Sequence, residues 1–220
     1  MSGFEGPASY GDCWAEVYDE LHAWLEPTAA VEFLARLAGS GRVLELAIGT
    51  GRVALPLSRR GVVVEGVDAS QAMVDQLRAK PGGEAIPVTI GDMAQVPLAG
   101  PFRLVYLVFN SLFALLSQAR QIRCFRNVAR ALEPGGVFVI ECFVPDDSWS
   151  GQDQRVTTQI VTLDENGMHL RPVTLRYAWP SELDLMASHA GLQLSERYAD
   201  WTCRPFAPDS DGHVSVYQRI

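Results

Sequence analysis

The feature that most constrains the fold is the stretch from Gly41 to Asp68, GRVLELAIGTGRVALPLSRRGVVVEGVD. A short apolar run over 43–46 stops at the glycine turn 49–51, which predicts a buried parallel strand followed by a loop. Apolar residues then recur at helical spacing, and a second apolar run over 62–67 ends on Asp68. A strand, a glycine loop, a helix and a strand in this order predict half of a nucleotide-binding α/β unit.

The residues of this unit favour one class of nucleotide. A dinucleotide fold needs G-x-G-x-x-G, but only Gly49 and Gly51 are present and Val53 stands where the third glycine would be. Glu45, near the end of the first predicted strand, would repel a pyrophosphate and attract an amino group. Asp68 ends the second strand, where it can accept hydrogen bonds from ribose hydroxyls. The pattern therefore predicts an adenosine that carries a cationic amino acid, and it disfavours an NAD-dependent oxidoreductase.

Four ordered motifs, LELAIGTG, GVDAS, GDM and ALEPGGVFVIE, resemble those of the class I S-adenosylmethionine-dependent methyltransferases, of the short bacterial small-molecule type. The resemblance covers residues 40–145, and Ala47 departs from it because the family usually has glycine there. It implies an α/β, Rossmann-like, doubly wound and mostly parallel sheet of seven strands with an antiparallel C-terminal strand, an N-terminal helical lid and a small β-hairpin appendage. It also implies S-adenosylmethionine as cofactor and S-adenosylhomocysteine as product.

The resemblance implies a set of cofactor-binding residues. In the family, the acid at Asp92 receives the adenine amine and the backbone of the next residue reads the ring, while Met73 either packs on the adenine or belongs to the core. The full set is Tyr18, Glu45, Ala47, Gly49, Gly51, Asp68, Ala69, Met73, Asp92, Met93 and Phe109.

Composition bounds the partners. A formal net charge of −8 disfavours nucleic acid, and the cluster of arginines at 120, 123, 126 and 130 has the helical spacing of a solvated face. Four scattered cysteines without C-x-x-C predict reduced thiols and no metal site. No apolar run approaches a membrane span, and residues 1–12 lack a signal-peptide pattern. We expect a cytoplasmic monomer or homodimer that acts on a small-molecule acceptor, without membrane or nucleic-acid partners.

Residues 12–37 show the apolar spacing of two helices, broken near Pro27. The Tyr18-Asp19 pair resembles one found in the N-terminal cover of the family's small-molecule enzymes, which implies a lid that excludes water. His22 lies one helical turn after Tyr18 and is a candidate substrate contact. Trp14 belongs either to the buried face of these helices or to the substrate site.

Further substrate candidates lie at predicted strand ends. The apolar run 102–110 predicts a central buried strand, so Asn110 and Phe113 should face the ligand crevice, although Asn110 can equally be a helix cap. The sequence N-S-L-F lacks the prolines of the N-P-P-Y motif in the family's nucleic-acid amino methylases. Glu141 comes near the end of the fifth predicted strand and could face the site.

The C-terminal third has a residue pattern different from that of the preceding α/β unit. Segments 156–163 and 168–177 flank Asn166-Gly167, which predicts a β-hairpin with a type I′ turn. A helix and two final strands follow, joined by the aromatic loop 200–206, in which Trp201 could wall a substrate pocket. We expect one methyltransferase domain over 1–220. Its parts are a lid at 1–39, a cofactor core at 40–145, a hairpin insert at 152–178 and a C-terminal unit at 179–220.

The predicted reaction is transfer of a methyl group to a nitrogen or oxygen atom of a small molecule, as part of a natural-product pathway. Methyl transfer to oxygen needs a base, whereas transfer to a neutral amine needs only a proton acceptor afterwards. Tyr18, His22 and Glu141 are the candidate catalytic residues. His213 is a further titratable candidate. The alternative is a binding or partner protein of the same fold without catalysis.

Overall fold

The structure is a computed structural model, and it describes residues 6–146, 148–149, 151, 153–164 and 167–220. The helices within these ranges are α1 (Ser9–Trp14), α2 (Tyr18–Leu21), α3 (Thr28–Ala38), α4 (Ala54–Arg59), α5 (Gln71–Arg78), α6 (Gln118–Ala131) and α7 (Pro180–His189). The strands are β1 (Val43–Leu46), β2 (Val64–Asp68), β3 (Val88–Ile90), β4 (Phe102–Leu107), β5 (Leu132–Phe143), β6 (Arg155–Asp164), β7 (Gly167–Arg176), β8 (Leu192–Tyr198) and β9 (Gly212–Arg219).

Seven of the strands form one sheet in the order β3-β2-β1-β4-β5-β9-β8. The pairs among β1 to β5 are parallel, and β9 runs antiparallel to both β5 and β8. The order reverses between β1 and β4, so a crevice opens beyond the carboxyl ends of these two strands. This sheet confirms the predicted Rossmann-like fold.

The core occupies both faces of the sheet because side chains alternate along buried strands. On β4, Val105 and Leu107 face the layer made by α6 and α7, whereas Leu104 and Tyr106 face the layer made by α3 and α4. All four of these side chains are fully buried. The near-continuous apolar run of the sequence is thus explained by a central strand covered on both sides.

Some element bounds differ from the sequence prediction. The N-terminal region contains three helices, not two, because the chain turns between Trp14 and Tyr18. Asp12 lies in the first turn of α1 and makes no cap there. Strand β5 begins at Leu132, so the Pro-Gly-Gly sequence lies within it and not before it. The predicted hairpin is present as β6 and β7, but its turn at 165–166 lies outside the described residues.

Two general features complete the fold. The thiols of Cys13, Cys124, Cys142 and Cys203 are all free, as expected. None of the helices in the described part of the chain combines the length and apolar character of a membrane span.

Candidate active site

A cavity of about 290 Å³ lies at the carboxyl ends of the parallel strands, where the sheet order reverses. Its floor comes from the glycine loop after β1 and from the residues that follow β2, β3 and β4. Residues of α1, α2 and the β6–β7 hairpin cover it. Sheet and cover therefore enclose one space from opposite sides, and the volume is near the lower end of ligand pockets, which span roughly 300–1,000 Å³.

Asp68 is the acid at the end of β2, and it faces this cavity. Its Oδ2 accepts the Gly49 N–H at 2.7 Å and its Oδ1 accepts the Ser70 N–H at 2.8 Å. Gly49 has φ +54°, a left-handed conformation that glycine adopts without strain. Burial raises the pKa of the Asp68 carboxyl above its usual value, and the backbone hydrogen bonds oppose that rise. Asp68 thus joins the glycine loop to the N-terminus of α5.

Asp92 follows β3 and lies on the same floor. Its carboxylate accepts hydrogen bonds from the Ala94 N–H and the Gln95 side chain, both at 2.9 Å. The guanidinium of Arg120, in the first turn of α6, lies 2.9 Å from Asp92 Oδ2. Arg120 also lines the cavity, and its buried Nε has no hydrogen-bond partner among the described residues.

Glu45 lies behind the glycine loop, outside the residues that line the cavity in the described part of the chain. Its side chain is only 2% exposed, and its Oε2 accepts a hydrogen bond from the Tyr106 hydroxyl at 2.8 Å. Burial raises the pKa of the Glu45 carboxyl to about 8, although Tyr106 and Arg52 both lower it. With a pKa of about 8, the Glu45 carboxyl is mostly protonated, and so uncharged, at neutral pH.

The first part of the cover consists of aromatic side chains. The Tyr18 and His22 rings stack with centroids 4.3 Å apart, and the Phe109 ring lies nearly perpendicular to His22 with centroids 5.3 Å apart. All three residues line the cavity. His22 Nδ1 lies 2.8 Å from the Tyr18 carbonyl oxygen, and burial raises the pKa of the Tyr18 phenol. The phenol therefore keeps its proton at neutral pH.

Polar contacts fasten this cover to the floor. Asp19 accepts a hydrogen bond from the Thr50 hydroxyl at 2.6 Å and pairs with the Lys80 ammonium at 2.5 Å. Lys80 also donates to the Thr50 carbonyl at 2.8 Å. On α1, Asp12 accepts a hydrogen bond from the Ser70 hydroxyl at 2.7 Å. We call the first set, Asp19, Thr50 and Lys80, the Asp19 latch.

The second part of the cover is the hairpin, whose strands pair with each other and not with the main sheet. Thr158 and Val173 form one cross-strand pair, and both line the cavity together with Ile160 and Leu175. These positions alternate along the strands, as expected for one face of a hairpin. The roof over the cavity is therefore mostly apolar.

Known proteins with similar sequences and structures agree with this geometry. The family described as "Methyltransferase domain" matches residues 43–136. The solved structure of the CcbJ methyltransferase from Streptomyces caelestis is 39% identical, with a TM-score of 0.89, over 97% of this chain and 99% of that one. The chain belongs to the class I S-adenosylmethionine-dependent methyltransferases.

Two curated relatives are methyltransferases whose names state the substrate. The cypemycin N-terminal methyltransferase of a Streptomyces species is 26% identical over 97% of this chain and 98% of its own. The dTDP-4-amino-2,3,4,6-tetradeoxy-D-glucose N,N-dimethyltransferase of Saccharopolyspora spinosa is 30% identical over 62% of this chain and 57% of its own. Both are nitrogen methylases.

The floor of this methyltransferase fits the family's cofactor, S-adenosylmethionine. Each carboxylate oxygen has two acceptor positions, so Asp68 can still receive ribose hydroxyls after binding Gly49 and Ser70. A Cβ built on Gly49 would meet no heavy atom closer than 4.0 Å, so the space above the loop is open. Gly51 has a different role, because its Cβ would lie 2.3 Å from Leu77 and would separate the loop from α5.

The structure brings most of the sequence-predicted residues together at the cavity. Those that line it are Tyr18, His22, Ala47, Gly49, Asp68, Ala69, Met73, Asp92, Met93, Phe109 and Asn110. Ala47 does so with φ +53°, in the left-handed region that glycine would occupy without strain.

Other predicted residues lie elsewhere in the methyltransferase. Trp14 is 1% exposed and packs with Ala15 and Met73 beneath the cover. Phe113 is buried against Phe143, with ring centroids 4.9 Å apart. These aromatic residues point into the core because the apolar interior, and not the cavity, takes up their surface.

Three more candidates are occupied by internal contacts. Trp201 packs against Phe33 at 5.5 Å and donates its Nε1–H to Glu141 Oε1 at 2.7 Å. Glu141 does not line the cavity in the described part of the chain. His213 is buried in β9 with Nδ1 2.8 Å from the Ser215 hydroxyl, and burial lowers its pKa to about 4. No group of acidic, histidine or cysteine side chains in the described ranges could hold a metal ion.

Sequence reasoning missed two arginines. Arg120 was expected on a solvated helix face with Arg123, Arg126 and Arg130, but it pairs with Asp92 because the first turn of α6 abuts the cavity. Arg52 lies in the helix-proximal part of the glycine loop, where its guanidinium lies 5.7 Å from the Phe109 ring centroid and its charge lowers the pKa of the nearby Tyr18 phenol. The signal for Arg52 was its position directly after the G-T-G turn.

Proposed function

We propose that this protein transfers a methyl group from S-adenosylmethionine to the amine nitrogen of a small molecule in a natural-product pathway. Bound S-adenosylmethionine supplies a methyl group already activated by a positively charged sulfur. The task left to the chain is to bind the cofactor, orient the acceptor and exclude water. Helices α1 and α2 and the hairpin would act as the cover that excludes it.

The chain's own residues suggest a division of roles. Asp68 would accept the ribose hydroxyls and Asp92 the adenine amine, since both acids lie on the cavity floor. Arg52 would face the carboxylate end of the amino acid, because it is the cation beside Tyr18 and Phe109. Glu45 does not line the cavity in the described part of the chain and its raised pKa leaves the carboxyl mostly uncharged at neutral pH, so it would support the loop from behind and would not balance the ammonium charge.

The choice of nitrogen rests on the protonation states of the side chains that line the cavity. Burial keeps the Tyr18 phenol protonated, and the carboxylates of Asp68 and Asp92 already accept hydrogen bonds from the chain. The remaining proton acceptor of the cavity wall is His22, which suits an amine that loses its proton after the transfer better than a hydroxyl that must lose it during the transfer. A neutral amine brings its own lone pair and needs no strong base.

The names of the two curated relatives support the same choice, since each describes methylation of a nitrogen. The mostly apolar roof, formed by Ile160, Val173 and Leu175, favours an acceptor with an apolar part next to its amine. His22 would receive the proton that the amine loses after transfer, because its imidazole lies at the boundary of cover and floor.

The first experiment compares S-adenosylmethionine, S-adenosylhomocysteine and NAD by thermal shift and titration calorimetry. Stabilisation by the two sulfur nucleotides and none by NAD would support the assigned cofactor. Stabilisation by NAD alone would contradict it. Binding of the sulfur nucleotides without any turnover would favour a partner protein without catalysis.

The acceptor atom is tested with matched pairs of compounds that differ only in an amine or a hydroxyl at one position. Amino sugars and short peptides with free N-termini are compared with their hydroxyl counterparts, and the products are read by mass spectrometry. We expect a mass gain of one methyl group on the amines alone. Methylation of the hydroxyl partners at comparable rates would contradict the nitrogen assignment.

The variant Tyr18→Phe tests whether Tyr18 acts on the acceptor or binds the cofactor. We expect Tyr18→Phe to leave the dissociation constant of S-adenosylhomocysteine within about twofold and to lower turnover of a methylated amine at least tenfold, because the phenol lies on the cover side. Trp24→Phe, at an exposed position of the same segment, is the control. Weakened cofactor binding with normal turnover at saturation would place Tyr18 at the cofactor instead.

A further inference from the structure

The turn after β4 has an unusual backbone. Phe109 and Asn110 have φ values of +52° and +63°, so two consecutive residues other than glycine adopt the left-handed conformation. Such conformations persist only where surrounding contacts hold them, and they are common at functional sites. Both residues line the cavity.

Glu141, on the neighbouring strand β5, supplies the contacts that hold this turn. Its Oε2 accepts the Phe109 N–H at 2.7 Å, and its main-chain oxygen accepts the Asn110 N–H at 3.1 Å. The Asn110 side chain completes the arrangement, because its Oδ1 accepts the Phe143 N–H at 2.6 Å. One residue thus binds both left-handed amides, once through its side chain and once through its backbone.

Trp201 fixes the carboxylate from the other side. Its Nε1–H donates to Glu141 Oε1 at 2.7 Å, while its ring packs edge-on against Phe33. Both carboxylate oxygens of Glu141 therefore bind donors of the chain, and short bonds to a charged acceptor are the stronger kind. The carboxylate cannot rotate without losing one of them.

The Phe109 ring, which this arrangement orients, lies between the cover and the glycine loop. The Phe109 and His22 rings are nearly perpendicular with centroids 5.3 Å apart, and the Arg52 guanidinium lies 5.7 Å from the Phe109 ring centroid. His22 belongs to the cover and Arg52 to the glycine loop. The direction of the Phe109 ring thus determines how the cover meets the floor.

We propose that Glu141 is a positioning residue: it holds the left-handed Phe109–Asn110 turn and so fixes the Phe109 ring against His22. Trp201 keeps the Glu141 carboxylate in place. The role rests on the proposed function only in taking this cavity as the site of methyl transfer. Glu141 acts through Phe109 and touches no substrate itself.

Nuclear magnetic resonance of the full ¹⁵N-labelled chain tests this role without an acceptor. In Glu141→Ala, we expect at least tenfold faster hydrogen exchange at the Phe109 amide and a shifted imidazole signal of His22, since the Phe109 ring current moves. The His22 signal is identified among the four histidines with His22→Gln. Glu133→Ala, at the opposite end of β5, is the matched control and should change neither signal.

Conservative variants keep the test decisive if Glu141→Ala fails to fold. Glu141→Gln retains one acceptor oxygen, so both changes should be intermediate. Trp201→Phe removes one donor and should shift the His22 signal less than Glu141→Ala does. Unchanged exchange and an unchanged His22 signal in the folded Glu141 variants would overturn the proposal, as would fast exchange with the His22 signal in place. S-adenosylhomocysteine is titrated separately, because absent binding would count against the proposed function and leave these signals interpretable.

Discussion

The floor and the cover of the cavity are held by different kinds of contact. On the floor, Asp68 is only 9% exposed and binds backbone N–H groups, whose positions the sheet fixes. In the cover, Asp19 has a half-exposed side chain that binds the hydroxyl of buried Thr50 and the partly exposed ammonium group of Lys80. Buried bonds to backbone groups resist rearrangement, whereas exposed ion pairs contribute little. The floor is therefore held by buried bonds to backbone groups, whereas this part of the cover is held by side-chain contacts that are partly open to solvent.

The largest expected effect tests the floor. Asp68→Ala should weaken binding of S-adenosylhomocysteine by about 1–3 kcal/mol, roughly 5- to 150-fold, because the ribose loses a charged acceptor and the glycine loop loses its anchor. Titration calorimetry measures the change. Asp75→Ala, at an exposed position of α5, should leave the affinity unchanged. Equal affinities for wild type and Asp68→Ala would remove Asp68 from the cofactor site.

The second prediction concerns Glu45 and pH. Because its pKa is raised to about 8 in the folded state, the folded protein binds more protons than the unfolded chain between about pH 4.5 and pH 8. Above about pH 6.5, where His213 with its lowered pKa no longer contributes an opposing slope, the free energy of unfolding should therefore fall as pH rises towards 8, by up to about 1.4 kcal/mol for each pH unit.

Urea unfolding at several pH values checks this slope. Glu45→Gln keeps an acceptor for the Tyr106 hydroxyl and cannot ionise, so its stability should be flatter across the window. Glu65→Gln, on the neighbouring strand β2, is the control for the loss of a charge. A slope that survives in Glu45→Gln would assign the titration to another group.

The third prediction tests the cover. Asp19→Asn should weaken S-adenosylhomocysteine binding by no more than about 0.2–1 kcal/mol, since the Lys80 pair is partly exposed. The loss should shrink further at high salt, because screening has already weakened the pair in the wild type. Calorimetry at low and high salt measures it, with exposed Glu20→Gln as control. A loss as large as that of Asp68→Ala would erase the contrast between floor and cover.

The smallest expected effect concerns the left-handed backbone of Ala47, a residue of the cavity floor. Ala47 has φ +53°, which costs an alanine about 1 kcal/mol or more, while glycine makes the unfolded chain more flexible. Ala47→Gly should therefore stabilise the protein slightly, by less than about 1 kcal/mol. Ala72→Gly, within helix α5, should instead destabilise it. Thermal unfolding of the two variants gives the comparison, and a destabilised Ala47→Gly would show that the alanine methyl group makes a needed contact.

The sequence predicted the floor well because its signals are contiguous. Apolar runs, the glycine turn and the acids at 68 and 92 occur within single loops, and each loop carries its own geometry. The N-cap of α5 is equally local, since the Ser70 hydroxyl accepts a hydrogen bond of 3.2 Å from the Met73 N–H three residues on.

The cover was predicted only in outline, because its partners are distant in sequence. Nothing in the local pattern distinguishes a tryptophan that faces a cavity from one that faces the core, so Trp14 and Trp201 were placed at the substrate site. The hairpin was expected, but its role as a roof depends on Thr158 and Val173 meeting a floor formed about 100 residues earlier. Periodicity also assigned Arg120 to solvent, although the tertiary packing of α6 pairs it with Asp92.

The Asp19 latch has a consequence for the rate at which the cover opens. It joins the cover to the Thr50 hydroxyl and to Lys80, so opening replaces polar contacts with water and separates little apolar surface at that point. Contacts of this kind are exchanged quickly, and dissolved ions compete for them. We expect departure of the spent nucleotide to speed up as counter-ions accumulate, so that the ionic composition of the surroundings becomes a control on turnover.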